Sequence, residues 1–93
     1  MKISLTVLQH ELIGLNARVV KSSHPNYVGI AGKVIDETRN TLAIRHENKR
    51  KIVTKRVVVF HFTMPDGTVI EIDGKAIVGR PEDRIKKKIR RRW

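Results

Sequence analysis

The chain has 93 residues, enough for one small domain, and contains 20 lysine and arginine residues against 9 aspartate and glutamate residues. The resulting formal net charge of +11 is more than an enzyme acting on a neutral substrate needs. It favours a polyanionic partner, with nucleic acid ahead of an anionic membrane surface. The sequence has no cysteine, which excludes disulfides, a thiolate nucleophile and a cysteine-based zinc site.

Residues 4–14, SLTVLQHELIG, carry apolar side chains at helical spacing and predict a short, marginal helix. The N-terminal stretch differs from a secretory signal peptide, because polar residues interrupt its apolar side chains. No apolar run approaches the ~18 residues of a membrane-spanning helix. We therefore expect a soluble, cytoplasmic protein without a membrane partner.

From residue 17 to residue 79, strand-forming segments alternate with turn signals. The predicted strands are ARVVKSS, VGIAGKVIDE, TLAIRHE, RKIVT, VVVFHF, VIEI and KAIV. ETRN predicts a hairpin turn in which Asn40 suits a left-handed conformation, and MPDGT and Asp73-Gly74 predict two later turns. This pattern predicts a mainly β fold, a small Sm-like or SH3-like antiparallel barrel of five or six strands, closed or nearly closed.

The chain therefore divides into an N-terminal tail or marginal helix (1–16), an Sm-like barrel (17–79) and a basic C-terminal tail or helix (80–93). The predicted core is drawn from apolar residues of the barrel strands. Its members are Val19, Val28, Ile30, Val34, Leu42, Ile44, Val58, Phe60, Phe62, Ile70 and Ile72.

Gly29 and Gly32 lie within a predicted strand, where glycine needs a specific reason. A dinucleotide-binding fingerprint would require a third glycine and a following helix. A KH-type GxxG loop also requires a helix after it, whereas strand pattern continues here. The favoured interpretation is structural: both glycines allow a long barrel strand to bend.

No group of residues forms a recognisable catalytic or metal-binding pattern. His10, His24, His46 and His61 lack zinc spacing, and Asp36 and Glu37 would face opposite sides of a strand. The serines have no evident base or orienting partner. The sequence thus predicts no catalytic residue, no metal site and no cofactor in this chain.

The basic residues are the more informative signal. Side chains of one strand–loop–strand region and its preceding hairpin turn are predicted to form a continuous RNA-binding patch: Arg39, Arg45, Lys49, Arg50, Lys51, Lys55 and Arg56. Because aromatic residues make up only 4% of the chain, base stacking is not expected to be the main mode. Recognition of backbone and shape, as in structured RNA, is favoured.

The C-terminal segment RIKKKIRRR, residues 84–92, has seven basic residues and no acid. Mutual repulsion opposes a helix in this segment, and the N-terminal segment is shorter than the ~12–15 residues that an isolated helix needs. Both tails are therefore predicted to be disordered in the isolated protein and to become ordered on assembly. The alternative is that both ends pack on the barrel as helices. Within the basic tail, the predicted RNA contacts are Arg84, Lys86, Lys87, Lys88 and Arg90.

Several of these motifs together resemble one protein family. They are HELIGL at 10–15, VGIAGKVIDETRNTL at 28–42, FHF at 60–62, IDG at 72–74 and RPEDRI at 80–85. In this order they resemble ribonuclease P protein component 1, the archaeal counterpart of a eukaryotic ribonuclease P and MRP subunit. The resemblance covers nearly the whole chain.

The resemblance implies an Sm-like barrel within the ribonucleoprotein that removes 5′ leaders from precursor tRNA. It implies that RNA is the catalyst, with Mg²⁺ serving the RNA, and that the chain is part of an enzyme only within the holoenzyme. It further implies ribonuclease P RNA and a zinc-ribbon protein subunit as direct partners, and precursor tRNA as an indirect one. The alternatives are a ribosomal or translation-associated SH3-like barrel protein and, from another class, a self-contained nuclease.

Overall fold

A computed structural model of the protein describes residues 11–79. This part of the chain contains six strands: β1 (Asn16–Ser22), β2 (Ala31–Glu37), β3 (Thr41–His46), β4 (Lys49–Thr54), β5 (Val58–Thr63) and β6 (Val69–Asp73). Three short 3₁₀ helices, Pro25–Tyr27, Lys55–Val57 and Gly74–Ile77, connect or follow them. The predicted C-terminal tail and residues 1–10, which include most of the predicted N-terminal helix, lie outside the described residues.

The six strands form one antiparallel sheet in the order β4-β3-β2-β1-β5-β6. The prediction of a mainly β, antiparallel fold is confirmed. Within residues 11–79, β4 and β6 are the two ends of the sheet and do not pair with each other, so the sheet is not closed by hydrogen bonds.

One hydrophobic core takes side chains from all six strands. In β5, for example, Val58, Phe60 and Phe62 are buried and alternate with partly exposed residues. Such alternation is the consequence of the two-residue period of a strand, and it places one face of the sheet on the core. All the predicted core residues except Val28 are buried.

Local structure explains why Val28 is exposed and why two buried leucines were absent from the predicted core. Val28 is 52% exposed, because β2 begins only at Ala31 and Val28 belongs to the preceding connection. Leu12 and Leu15 are buried in the core but were not predicted there, because the sequence predicted a marginal helix up to residue 14 and a tail up to residue 16. Residues 12–15 form a turn, not a helix, and the N–H of Gly14 donates to the carbonyl of Val34 at 2.8 Å.

The β2–β3 turn also differs from the prediction. Asn40 does not adopt a left-handed conformation, and the non-glycine residues with positive φ in residues 11–79 are Glu47 and Asn48, at the tip of the β3–β4 hairpin. The β2–β3 turn is closed by Thr38 instead: its N–H donates to the carbonyl of Thr41 at 3.0 Å, and its Oγ1 accepts from the N–H of Thr41 at 3.1 Å.

The two glycines have different roles. Gly29, at φ +95°, lies in the connection before β2, so the prediction that it bends a strand is wrong. Gly32, at φ +155°, lies inside β2 opposite Ala17, where an added Cβ would stand 1.8 Å from the carbonyl oxygen of Arg45. The chain after Gly32 continues as β2 and β3, which also excludes a KH-type loop followed by a helix.

The most unusual core residue is Lys55, which is 0% exposed. Its Nζ donates to Glu37 Oε2 at 2.7 Å and to the carbonyl oxygens of Thr38, Arg39 and Gly79 at 2.8, 3.2 and 3.0 Å. Three N–H donors thus face four oxygen atoms from two separate parts of the chain. The buried ammonium therefore ties the β2–β3 turn to the segment that follows the last 3₁₀ helix.

A β-bulge brings the carboxylate to this lysine. The pairing of β2 with β3 shifts between Val34 and Asp36. Regular alternation would place Glu37, three residues after the buried Val34, on the outer face. Because of the shift, Glu37 pairs with the core residue Leu42, and its side chain is only 2% exposed.

Removal of the charge of Lys55 should be strongly destabilising. In a Lys55→Met variant the carboxylate of Glu37 and the three carbonyl groups each lose a charged donor in the interior, which should lower the free energy of unfolding by about 3–5 kcal/mol. The matched control is Arg50→Met, which breaks a 3.3 Å pair with Asp36 whose side chains are 55% and 51% exposed. That change should cost less than about 1 kcal/mol. Equal losses in urea unfolding would contradict the role assigned to Lys55.

The two glycines should also respond differently to alanine. Gly32→Ala should lower the free energy of unfolding by about 3 kcal/mol or more, since the new Cβ overlaps backbone that must then move. At Gly29 nothing lies within 4 Å of an added Cβ, so only the conformational strain of a positive φ remains, about 1–2 kcal/mol. Denaturant unfolding of both variants measures the difference, and a Gly29→Ala variant that is the less stable of the two would show that this reasoning is wrong.

Candidate nucleic-acid interface

A row of cations crosses the outer face of the sheet. Lys33 on β2 pairs with Arg45 on β3, and Arg45 pairs with Arg50 on β4. Directly opposed residues share a face and adjacent strands lie about 4.8 Å apart, so the three exposed side chains form a row fixed by backbone pairing. On the other side of Lys33 the same register continues to Asn16 and Thr63. We call Lys33, Arg45 and Arg50 the outer row.

Two charged residues next to the outer row change the net charge of this face. Arg50 Nη2 lies 3.3 Å from Asp36 Oδ2, so part of its charge is balanced in the free protein. Arg18, on β1, is exposed two residues after Asn16 and adds a cation to the same face. Both side chains of the Arg50–Asp36 pair are about half exposed. Arg50 can therefore exchange Asp36 for an external anion at a small cost in free energy.

Strand alternation separates Lys49 and Lys51 from Arg50. Both lysines line a pocket of about 560 Å³ between the β3–β4 hairpin and the β1–β2 connection, whose lining includes His24 and Tyr27. Arg50, which lies between the two lysines in β4 and points to the other side of the strand, is not part of the lining, so we describe the pocket and the outer row as separate surfaces.

A third basic group lies elsewhere. Arg56 lines a groove of about 210 Å³ together with Lys21 and Lys75, with Asp73 at the same groove. All three cations are exposed. We call Lys21, Arg56 and Lys75 the groove cations.

The predicted RNA-binding residues therefore do not form one continuous patch. Lys55 is buried and bonded to four oxygen atoms, so its prediction as an RNA contact is wrong. Arg39 is exposed in the β2–β3 turn, and its carbonyl accepts from the N–H of Gly79 at 2.7 Å. The tail residues Arg84, Lys86, Lys87, Lys88 and Arg90 lie outside the described residues.

The sequence prediction also missed Lys33, which only the register of β2 against β3 brings opposite Arg45. The hairpin gives only a partial local signal: counting outward from the turn in regular register pairs Arg45 with Val34, and the bulge after Val34 shifts that count by one and brings Lys33 opposite Arg45. Lys21 and Lys75 join Arg56 through the packing of different elements and have no such local signal.

Three further titratable residues of the described segment have structural partners. His46 Nδ1 lies 3.1 Å from the N and 3.0 Å from the O of Ala31, and His61 Nε2 lies 2.9 Å from Glu71 Oε1. Asp66 caps a turn, and the hydrogen bond from the N–H of Thr68 holds the pKa of this carboxyl below its ordinary value.

Residues 11–79 contain neither a metal-binding cluster nor a membrane-spanning helix. No three His, Cys, Asp or Glu side chains there are grouped so that they could hold a metal ion. No helix in that part of the chain is long and apolar enough to cross a membrane.

Comparison with known proteins identifies the family. The model of the family "Ribonuclease P/MRP, subunit p29" matches residues 5–87. The chain is 54% identical over 86 residues to ribonuclease P protein component 1 of Methanothermobacter thermautotrophicus, which covers 91% of this chain and 92% of that protein. It is 58% identical over 85 residues to the protein of the same name from Pyrococcus furiosus. That match covers 91% of this chain and 67% of the Pyrococcus furiosus protein.

The fold agrees with a solved structure. The structure of Mth11, a homologue of human RNase P protein Rpp29, superposes with a TM-score of 0.60 at 52% sequence identity and covers 82% of this chain and 99% of that one. Sequence and fold therefore lead to the same assignment, and the chain belongs to the ribonuclease P/MRP subunit p29 family.

Proposed function

We propose that this chain acts as an RNA-binding protein subunit of ribonuclease P and supports the removal of 5′ leaders from precursor tRNA. Family membership supports the assembly, and the outer row is the observation that supports RNA contact. Because Lys33, Arg45 and Arg50 project from paired strands, their backbone is already ordered before they meet phosphates. Little ordering cost then opposes binding.

In this proposal the RNA carries out the cleavage and the protein does not. We expect the Mg²⁺ of the holoenzyme to be held by RNA, while residues 11–79 of this chain offer cations. The chain's contribution is electrostatic: fixed cations reduce repulsion between RNA segments that must approach one another. The whole chain, with its net charge of +11, suits this role.

We further propose a zinc-ribbon protein subunit as direct partner and precursor tRNA as an indirect one, in the cytoplasm. A ribosomal barrel protein would share the fold and the charge, but the relatives above are named as ribonuclease P components and do not favour that alternative.

Reconstitution with ribonuclease P RNA tests the subunit role. Together with its partner subunits, the protein should increase cleavage of precursor tRNA by the RNA at low Mg²⁺, because its cations substitute for part of the counterion atmosphere. The RNA-free protein should cleave nothing over many turnovers. Multiple-turnover cleavage by protein treated with ribonuclease would show that the chain is itself a nuclease. Lack of stimulation, together with binding to ribosomal RNA, would favour the ribosomal alternative.

Charge removal at the outer row tests how the chain binds. The Lys33→Ala/Arg45→Ala/Arg50→Ala variant should bind ribonuclease P RNA more weakly, and the slope of log K against log salt should fall by about 2–3, since each phosphate contact contributes about 0.7–0.9. The control is Lys21→Ala/Arg56→Ala/Lys75→Ala, which removes the same charge from the groove cations. It should change affinity and slope less. If the groove variant is the weaker binder of the two, the RNA interface lies at the groove, in agreement with the prediction for Arg56.

A further inference from the structure

The pocket beside the tip of the β3–β4 hairpin is concave and partly apolar, unlike the outer row. Its volume is about 560 Å³, and its wall is formed by the β1–β2 connection on one side and by the hairpin and β4 on the other. Two exposed apolar residues, Val28 at 52% and Ile52 at 48% exposure, belong to its lining. It is therefore a concave surface with an apolar component on a strongly basic protein.

A pair of stacked rings stands at this pocket. The rings of His24 and Tyr27 are 4.5 Å apart between centroids and inclined by 22°. Tyr27 packs against the hydrophobic core, and its hydroxyl lies 3.4 Å from Thr54 Oγ1, so the inner ring is anchored. His24 is exposed. Its outer ring face can therefore receive a third ring without displacing any core residue.

The backbone holds this stack in place. The N–H of Tyr27 donates to the carbonyl of His24 at 3.1 Å, and the N–H of Gly29 donates to the carbonyl of Val19, on β1, at 3.0 Å. The N–H of His24 donates to Ser22 Oγ at 2.9 Å. The rings are thus carried by a short 3₁₀ turn that is bonded to the sheet, which lowers the entropy lost when a ligand stacks.

The charge around the rings is complementary to phosphate. Lys49 and Lys51 line the pocket and are exposed, against one acid, Glu47, at the hairpin tip. Glu47 Oε2 lies 3.8 Å from His46 Nε2. A ligand that fits must carry a flat apolar ring beside an anionic group, which is the chemistry of a nucleotide.

We propose that this pocket binds an unpaired nucleotide of RNA, with its base stacked on His24 and its phosphate near Lys49 and Lys51. The proposal rests on the proposed RNA-binding function and adds a second mode of contact to it. The outer row would bind phosphates without regard to the bases, whereas the pocket requires a base that has left its stack. Ribonuclease P RNA would therefore place an unpaired nucleotide at this end of the barrel.

The test uses a uridine trinucleotide and a trinucleotide of the same charge that lacks its bases. In NMR titrations of the ¹⁵N-labelled protein, the uridine ligand should shift amides of residues 24–30 and 46–51. His24→Ala should weaken the uridine ligand about tenfold, which is the usual effect of losing one stacked base, and should leave the baseless ligand unchanged. His24→Phe, which keeps a ring, should retain binding, and Lys49→Ala/Lys51→Ala should weaken both ligands.

The outcomes distinguish this proposal from the function on which it rests. If the wild-type protein stimulates ribonuclease P RNA but His24→Ala changes neither ligand, the pocket proposal fails and the subunit role stands. It fails equally if amide shifts occur only along the outer row, or if His24→Ala keeps full RNA affinity but loses a protein subunit. If the wild-type protein neither binds nor stimulates ribonuclease P RNA, the proposed function itself is wrong.

Discussion

The buried ammonium of Lys55 is the interaction on which this small barrel depends. Without pairing between β4 and β6, the described sheet has two free ends, and its core must be closed by the segments around it. Lys55 links them: its side chain binds Glu37, Thr38, Arg39 and Gly79, and its N–H donates to the carbonyl of Asn40 at 2.8 Å. Its own carbonyl lies so close to Gly74 that an added Cβ there would stand 1.8 Å away.

This arrangement explains how a chain so rich in cations can fold around one core. Strand alternation sends Lys33, Arg45 and Arg50 outward, while the bulge in β2 turns a carboxylate inward to meet the one basic residue that is buried within residues 11–79. The exposed cations repel one another. In the proposed function, RNA phosphates relieve that repulsion, so the same charge that opposes folding of the free protein favours association with RNA.

The sequence predicted the antiparallel β fold and almost all of the core, because two-residue periodicity reports directly on the buried face of a strand. It could not predict the role of Lys55, since a lysine in a basic segment has the same local pattern whether it is buried or exposed. Burial depends on Glu37, 18 residues earlier in the chain, and on a bulge that leaves no mark in composition. Lys33 was missed for a related reason, because its neighbours are set by register and not by proximity in sequence.

We propose that the outer face of the folded sheet lies against ribonuclease P RNA, and site-directed cleavage of that RNA tests this claim directly. The chain has no cysteine, so a single cysteine can carry a tethered hydroxyl-radical source to any chosen position. Asn16→Cys would place the source in register with Lys33, and Ala76→Cys would place it on the exposed part of the last 3₁₀ helix, beside the groove cation Lys75. In the reconstituted complex, we expect strong, localised cleavage of the RNA backbone from position 16 and weak cleavage from position 76. Strong cleavage from position 76 with none from position 16 would contradict the claim.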